Sequence, residues 1–592
     1  MSLPLKSLAF IGDRRTMAAV SKTGSICWYC PGRFDNGSLF ASLLDEEKGG
    51  EWSIKWHNST FKRRDYEEDS AILISLYQQG QEVNVVTDFM PAGKNSPQGI
   101  CRMLEASAAP CTIQLQPAPD FGREKAVLVE EQNCIRINDR HFFYSSFPAQ
   151  VVEDRIEIQL DSLTRGWMFL SEGRLKEAPA PEKWLDNTRA FWKKIADRFS
   201  YYGPYEAEVA QSIRAIRMLT YEESGGILAA GTTSLPELVG GDRNYDYRYV
   251  WLRDAGMIVS ALTRAGSNGV EERRFLKFIC GLEPAKGEEG THFAPMYTAE
   301  QKLLPKEQVI ELKGYLNSRP VMVGNGARNQ LQLGTTANIL LAAKLIYNKY
   351  DTREHWEVMA ATADFLADSW HREDHGIWEE KVKKHYTSSK VIVACGLMFI
   401  AKHTKDAAQK KKWKKAEKDI RLFVKENCLN AEGAYAAAAG EECVDISAIL
   451  FPAWAYTEID APEVKATVKV LERDYKKGLL YRRHLFDADS GKEGAFLAGS
   501  LWMAQYYIYL KELDKARKII DETLQYTTDL GFFSEEADVE HQRMIGNIPQ
   551  TFVHASFIGA VIDLKHEMEK KKSKDPVNKL IKKAIELFRK LN

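Results

Sequence analysis

The sequence predicts an α+β multidomain protein in which an N-terminal antiparallel β-sandwich is followed by a large all-helical domain. Three observations carry this. At 592 residues the chain is longer than one hydrophobic core holds and divides into several domains. Up to about residue 180, short alternating apolar runs are separated by turn-forming residues, the mark of strands. From residue 204 onward apolar residues recur every three or four positions, the period of helices.

The strand-like runs are Ala71–Tyr77, Val83–Phe89, Thr112–Gln116, Cys134–Ile137 and Arg155–Leu160, with turn signals at Gln79-Gly80, Asn95-Ser96-Pro97 and Asn138-Asp139. Several short strands so divided predict a sandwich over residues 1–180. A helical linker is expected over 181–203, and a helical domain over 204–592. Within the latter, Val209, Ile213, Ile216 and Leu219 share one helix face, as do Ile339, Leu340, Ala343 and Ile346. Further helices are predicted at Glu354–Trp370, Val391–His403, Asp406–Glu426, Pro462–Lys476, Gly494–Leu510, Leu513–Tyr526 and Ala555–Lys570. This spacing fits a closed toroid of helix pairs or a solenoid, and the lack of a motif repeating every ~34 or ~40 residues weighs against the solenoid. Two connections, Gly225–Asn244 and Glu283–Gln330, are too long for simple bundle loops and are candidates for function. The Lys-rich run Lys565–Asn592 reads as a solvated helix face.

Composition excludes some classes of function. Hydrophobic residues are 44% and charged residues 28%, an ordinary soluble balance. Lys and Arg total 81 against 82 Asp and Glu, so the near-neutral chain is not built to grip nucleic acid. The longest apolar stretch, Val391–Ala401, is too short to cross a bilayer, and residues 1–16 lack a secretory apolar segment. A cytoplasmic protein is expected, with nine free cysteines. Cys27 and Cys30 have the spacing of a redox motif, but they follow a hairpin-like turn at Lys22-Thr23-Gly24-Ser25 and lie in no βαβ unit. No metal-ligand cluster is visible, and neither a metal nor another cofactor is expected.

Three segments carry candidate chemistry, because each sets carboxyl groups beside aromatic or apolar residues. Such surroundings disfavour the charged form and prepare an acid for proton donation. The first is Asn244-Tyr245-Asp246-Tyr247-Arg248-Tyr249-Val250-Trp251-Leu252-Arg253-Asp254. The second is Asp374-His375-Gly376-Ile377-Trp378-Glu379-Glu380. The third is Gly531-Phe532-Phe533-Ser534-Glu535-Glu536, followed by Asn547-Ile548-Pro549-Gln550. Singly, each also reads as an ordinary loop with a buried aromatic, or as a helix start.

Together, and in this order, they resemble the glucoamylase-type glycoside hydrolases, family fifteen, which includes glucodextranases, isomaltose glucohydrolases and some bacterial trehalases. Matching residues extend over nearly the whole chain: Ile11–Thr16, Gly24-Ser25-Ile26, Arg33-Phe34-Asp35, Thr232–Glu237, Gly240–Asp254, Gly314-Tyr315, Ser318–Val321, Gly376–Glu379, Glu493–Phe496 and Gly546–Gln550. The resemblance implies a β-sandwich followed by an (α/α)6 helical barrel whose loops form a pocket for a nonreducing-end glucose. It implies Glu379 as general acid and Glu535 as general base of an inverting hydrolysis, with the carboxyl groups roughly 6.5–9.5 Å apart. Arg253 and Asp254 then hold the terminal glucose hydroxyls, and Tyr247 lies near the catalytic water. Trp251 and Trp378 wall the pocket, Glu380 contacts the neighbouring sugar, and Arg482 is a weaker match from a Tyr-Arg step.

The reading that follows is an exo-glycosidase releasing β-glucose from α-1,4 or α-1,6 gluco-oligosaccharides. A trehalase of the same fold is the nearest alternative. A disaccharide phosphorylase would need only one of the two carboxyl groups, and a non-catalytic sugar-binding relative neither. The partner expected is an oligosaccharide or disaccharide; linkage and oligomeric state stay open. One departure stands out. Where many relatives carry an acidic residue followed by Tyr-Gly-Glu, this chain has Gly334-Thr335-Thr336-Ala337-Asn338, which bears on the leaving-group subsite.

Overall fold

A computed structural model describes residues 3–105, 110–161, 165–287, 290–485 and 492–574. The N-terminal part is two antiparallel sheets. One, of seven strands, runs in the order Leu8–Gly12, Met17–Ser21, Ile26–Tyr29, Glu51–Trp56, Cys111–Gln116, Arg155–Leu160, Gln150–Val152. The other, of eight, runs Leu128–Glu131, Cys134–Ile137, His141–Ser145, Gly166–Ser171, Gly99–Glu105, Glu82–Phe89, Leu73–Gln79, Thr60–Tyr66. Alternation sets the faces: Leu73–Gln79 buries Leu73, Ser75 and Tyr77. All five strands read from alternation are present, two with their predicted bounds.

Cys27 lies in the strand Ile26–Tyr29, and every described cysteine is unpaired. Burial raises both thiols of the C-x-x-C pair, and Cys30 Sγ accepts a hydrogen bond from Arg248 at 3.4 Å. The pair is part of the packing, with none of the thiolate character that redox work requires.

The first helix, α1 (Pro181–Ala196), takes up the first part of the linker expected over 181–203, whose remaining residues are not helical. It packs on the sandwich, with Trp184 against Phe169 at 4.6 Å between ring centres. The remaining helices are α2 (Glu206–Met218), α3 (Ala255–Arg264), α4 (Val270–Cys280), α5 (Leu333–Tyr350), α6 (Trp356–Ser369), α7 (Thr387–Ile400), α8 (Ala407–Asn427), α9 (Pro462–Val470), α10 (Leu497–Tyr509), α11 (Leu513–Leu524) and α12 (Thr551–Lys574). Contacts run from α12 to α3, α5, α7, the 3-10 turn Ile446–Leu450, α10 and back to α12. The inner ring therefore closes, which selects the toroid over the solenoid. Outside it, α2 packs on α12, α4 on α3 and α5, α6 and α8 on α7, α9 on the 3-10 turn, and α11 on α10 and α12.

Sequence separates the two rings. Inner helices are apolar or small on most sides near their starts; α7 buries every residue from Thr387 to Leu397. Outer helices carry one apolar stripe: α8 buries Trp413, Ala416, Ile420 and Val424 and leaves its lysines in water. Asp406 caps α8 by accepting from the backbone N–H groups of Ala408 and Gln409. The unusual Gly334–Asn338 segment is the buried first turn of α5, where a methyl at Gly334 would press on Ser389 and Ile392 of α7 at 3.2–3.3 Å. Small residues there serve the packing of inner helices. Of the Lys-rich end, only the part up to Lys574 lies within the described residues, and no described helix is long and apolar enough to cross a membrane.

Sandwich and barrel are joined by buried charge. Arg14 of the sandwich donates two hydrogen bonds to Glu271 of α4, at 3.2 and 3.1 Å, and Arg217 and Arg198 reach the same carboxylate. Burial alone would raise Glu271, but Arg217, Arg14 and Arg198 outweigh it and hold the carboxyl at about 2, against an ordinary 4.5. A value depressed on folding stabilises the protein above the unfolded-state value, and the stability is lost as pH falls toward 2. At neutral pH, Glu271→Gln is expected to cost about 3 kcal/mol in urea unfolding, the linkage value of that shift. The gap between variant and wild type should close as pH drops from about 4.5 toward 2.

Candidate active site

The segments leading into the inner helices meet at one end of the ring. Arg253 and Asp254 precede α3, Gln330 precedes α5, Phe496 precedes α10 and Gln550 precedes α12. Gln330 Nε2 donates to the Glu379 carbonyl at 3.1 Å, Arg253 lies over the Phe552 ring at 5.3 Å, and Trp378 meets Phe496 edge-on at 5.3 Å. Residues more than 280 positions apart thus share one pocket.

On one wall Trp251 Nε1 donates to Glu379 Oε1 at 2.5 Å, and Arg253 Nη1 lies 3.6 Å from the same oxygen. Glu379 has a left-handed backbone, φ 65°, at the end of a tight loop. The loop turns at Gly376 (φ 68°), where a methyl would meet the Tyr386 ring at 2.8 Å. Burial raises the Glu379 carboxyl; Arg253 and the Trp251 N–H oppose the rise, and Asp254 and Glu237 add to it. Arg253 Nε donates to Asp254 Oδ1 at 2.7 Å, leaving Oδ2 buried without a partner among the described residues. Burial raises Asp254 against the pull of Arg253. A buried acceptor beside a fixed guanidinium suits paired sugar hydroxyls.

On the other wall Tyr247 Oη lies 3.0 Å from Glu535 Oε1 and 2.9 Å from Glu237 Oε1. Tyr247 and Trp251 touch, ring centres 5.3 Å apart, so the two carboxyl groups hang from one aromatic pair. Burial raises Glu535, reinforced by Glu237 and Glu536 and opposed by Arg483. Glu535 Oε2 is buried with no partner among the described residues. Adjacent Glu536 begins the strand Glu536–Asp538 and pairs with Phe496 and Ile545. Successive side chains of an extended segment leave on opposite faces. Only Glu535 bonds Tyr247, and burial pushes Glu536 up to about 7.

Three more predicted residues are placed as follows. Trp378 Nε1 donates to Asp445 Oδ2 at 2.5 Å and its ring stacks near Trp502 at 6.4 Å. Glu380 Oε1 lies 3.7 Å from His484 Nε2. Arg482 is half-buried beside Lys477 and does not join the group; its neighbour Arg483 does, donating to Glu237 Oε2 at 2.5 Å and Glu493 Oε1 at 3.0 Å and lying over the Trp378 ring at 5.6 Å. Glu237, Glu493 and Arg483 were given no role by sequence reasoning. The first two lie inside matched motifs, the only signal available; Arg483 is one step from the predicted arginine, in the bend that follows the short strand Leu480–Tyr481. Asp445, raised by burial, was missed without any local signal. Among the described residues no group of His, Cys, Asp or Glu is arranged to hold a metal ion.

The Gly546-Asn547 motif fastens the wall. Asn547 Oδ1 accepts from Thr232 Oγ1 and its Nδ2 donates to the Tyr245 carbonyl, both at 2.9 Å. Gly546 has φ 76°, and a methyl there would stand 2.7 Å from Glu535 Cβ. Gly546→Ala is therefore expected to lower stability by about 1–3 kcal/mol, read by denaturant unfolding, and to displace Glu535 in a crystal structure.

Comparison with known proteins agrees with this architecture. The model of the family described as glycosyl hydrolases family 15 matches residues 203–520 and 508–562, and one described as trehalase-like, N-terminal, matches 1–148. The chain is 30% identical over 585 residues to Trehalase 1 of Sulfolobus acidocaldarius, covering 95% of this chain and 99% of that one. It is 29% identical over 595 residues to the trehalase of Thermoplasma volcanium, covering 95% and 94%. Among solved structures it is similar to a bacterial glucoamylase complexed with acarbose, with a TM-score of 0.69, 13% identity and 96% of each chain covered; that likeness establishes the fold.

Proposed function

Because this chain belongs to glycosyl hydrolase family 15 and is a glycosidase, we propose that it is an inverting trehalase that cleaves α,α-1,1-linked glucose disaccharides. The observation that carries the reading is the aromatic pair Trp251–Tyr247, which holds Glu379 on one side and Glu535 on the other beside the Arg253–Asp254 clamp. The choice of trehalose over the longer α-glucans first expected is supported by relatives named trehalase that align along 95% of the chain. A glucoamylase-type activity has the support of fold likeness at 13% identity.

In this reading Arg253 and Asp254 bind one glucose through its hydroxyls, orienting its anomeric carbon between the two carboxyl groups. Glu379, whose carboxyl burial raises, acts in its protonated form and donates its proton to the glycosidic oxygen as the C–O bond breaks. Glu535, ionised, takes a proton from a water that attacks the anomeric carbon from the opposite face. One bond to oxygen is exchanged for another, the configuration inverts, and two glucose molecules leave. The pair is reset when Glu535 gives up its proton and Glu379 regains one. Trp378, braced by Asp445, and Glu380 stand beside the acid and face the second sugar.

The test is steady-state hydrolysis of trehalose, maltose, isomaltose and maltotriose by the purified protein. Trehalose is expected to be hydrolysed with the highest kcat/KM, and Glu379→Gln and Glu535→Gln are each expected to lower kcat by about 10²–10⁴-fold without unfolding. Preference for maltose or isomaltose would reinstate the glucoamylase-type reading, and near-normal activity in either variant would remove that residue from the reaction.

A further inference from the structure

Glu237 is a third carboxyl group in the wall that holds Glu535, and Tyr247 links the two. Tyr247 Oη lies 2.9 Å from Glu237 Oε1 and 3.0 Å from Glu535 Oε1. A phenol has one proton to donate. It satisfies one carboxylate; the other oxygen then faces the phenol's lone pair, which repels it unless that carboxyl is protonated and donates in turn. One proton held between Glu237 and Glu535 satisfies all three groups.

The charges around the pair decide where that proton sits. Arg483 Nη2 donates to Glu237 Oε2 at 2.5 Å and to Glu493 Oε1 at 3.0 Å, and Arg243 pairs with Glu493. Glu536 adjoins Glu535 from the strand side, and Arg253 and Glu379 face the pair across Tyr247 and Trp251. Four carboxyl groups, Glu237, Glu493, Glu535 and Glu536, are thus each 3% exposed or less with two arginines among them. The guanidinium is bonded to Glu237 and Glu493 and to neither oxygen of Glu535. Ion pairing therefore favours charge on Glu237 and the proton on Glu535.

We propose that Glu237 is a positioning residue which, through Tyr247 Oη, keeps a shared proton on Glu535 and so sets the lower pH limit at which Glu535 is ionised. This rests on the reading of Glu535 as general base. Glu237 raises the proton affinity of Glu535 by its like charge, and Tyr247, its one proton given to Glu237, accepts from protonated Glu535 and holds that proton in place. Loss of either group releases the shared proton, a displacement along the pH axis that simple damage to the pocket would not produce.

The experiment is the pH profile of kcat/KM for trehalose, together with the infrared carbonyl band of protonated Glu535, assigned by its loss in Glu535→Gln. In Glu237→Gln the acid limb and the band midpoint are both expected to move down by about one to two pH units. In Tyr247→Phe, which removes the acceptor of the Glu535 proton, both are expected to move down as well. A uniform fall in rate with neither midpoint displaced would overturn the proposal and leave Glu237 a structural residue. If Glu237→Gln does not fold, as judged by circular dichroism, Tyr247→Phe decides: an unmoved band midpoint overturns the proposal. The band reports on the shared proton with or without turnover. A displaced band in an enzyme whose Glu535→Gln variant stays active would refute the functional reading and leave the proton sharing in place.

Discussion

The pocket depends on the ion pair of Asp246 with Arg248, two side chains with no exposed surface. Arg248 donates to both Asp246 oxygens and, from Nη1, to the carbonyls of Phe34 and Asn36 in the sandwich. Asp246 Oδ2 also accepts from the Gly324 N–H, drawing in the loop that follows Val321–Val323. Tyr247 sits between them in sequence, so fixing its neighbours fixes the phenol that bridges Glu237 and Glu535. Removing one partner of such a pair leaves an uncompensated buried charge, which costs about 3–5 kcal/mol. This explains why a signature so rich in charge stays buried, and why the sandwich is part of the architecture of the candidate site.

Desolvation is the second common cause. Glu379, Asp254, Glu535 and Glu536 are all raised by burial, and each is opposed by an arginine or a hydrogen-bond donor. The protein holds several acids close together by sharing few protons and few cations among them. The inner helices α3, α5, α10 and α12 all begin at this end. The tight packing of α5 on α7 at Gly334 keeps those helix ends close.

Much of this was legible in the sequence, and the reasons differ by feature. Strands and outer helices declare themselves because one face is wet; the pattern of Trp413, Ala416, Ile420 and Val424 leaves no other reading. Inner helices are harder, since α7 and α10 are apolar all round and carry no period, and ring closure shows only in contacts between distant elements. Glu379, Glu535, Arg253, Asp254, Tyr247, Trp251 and Trp378 stand out in the sequence because each lies in a local motif, and the structure brings them together. The Tyr-Arg step points to Arg482, while the structure sets Arg483 on Glu237, a one-residue difference that the fold of the loop after Leu480–Tyr481 decides and no sequence pattern carries. Glu237 and Asp445 acquire meaning from partners 298 and 67 positions away, which no local pattern carries.

The central claim is that Glu379 and Glu535 act across the bond with a water between Glu535 and the sugar. Proton NMR of the first moments of trehalose hydrolysis, before mutarotation, tests it most directly. The account predicts α-glucose and β-glucose appearing together in equal amounts, one from each half of the disaccharide. Appearance of α-glucose alone would mean retention of configuration and would contradict the roles assigned to both carboxyl groups.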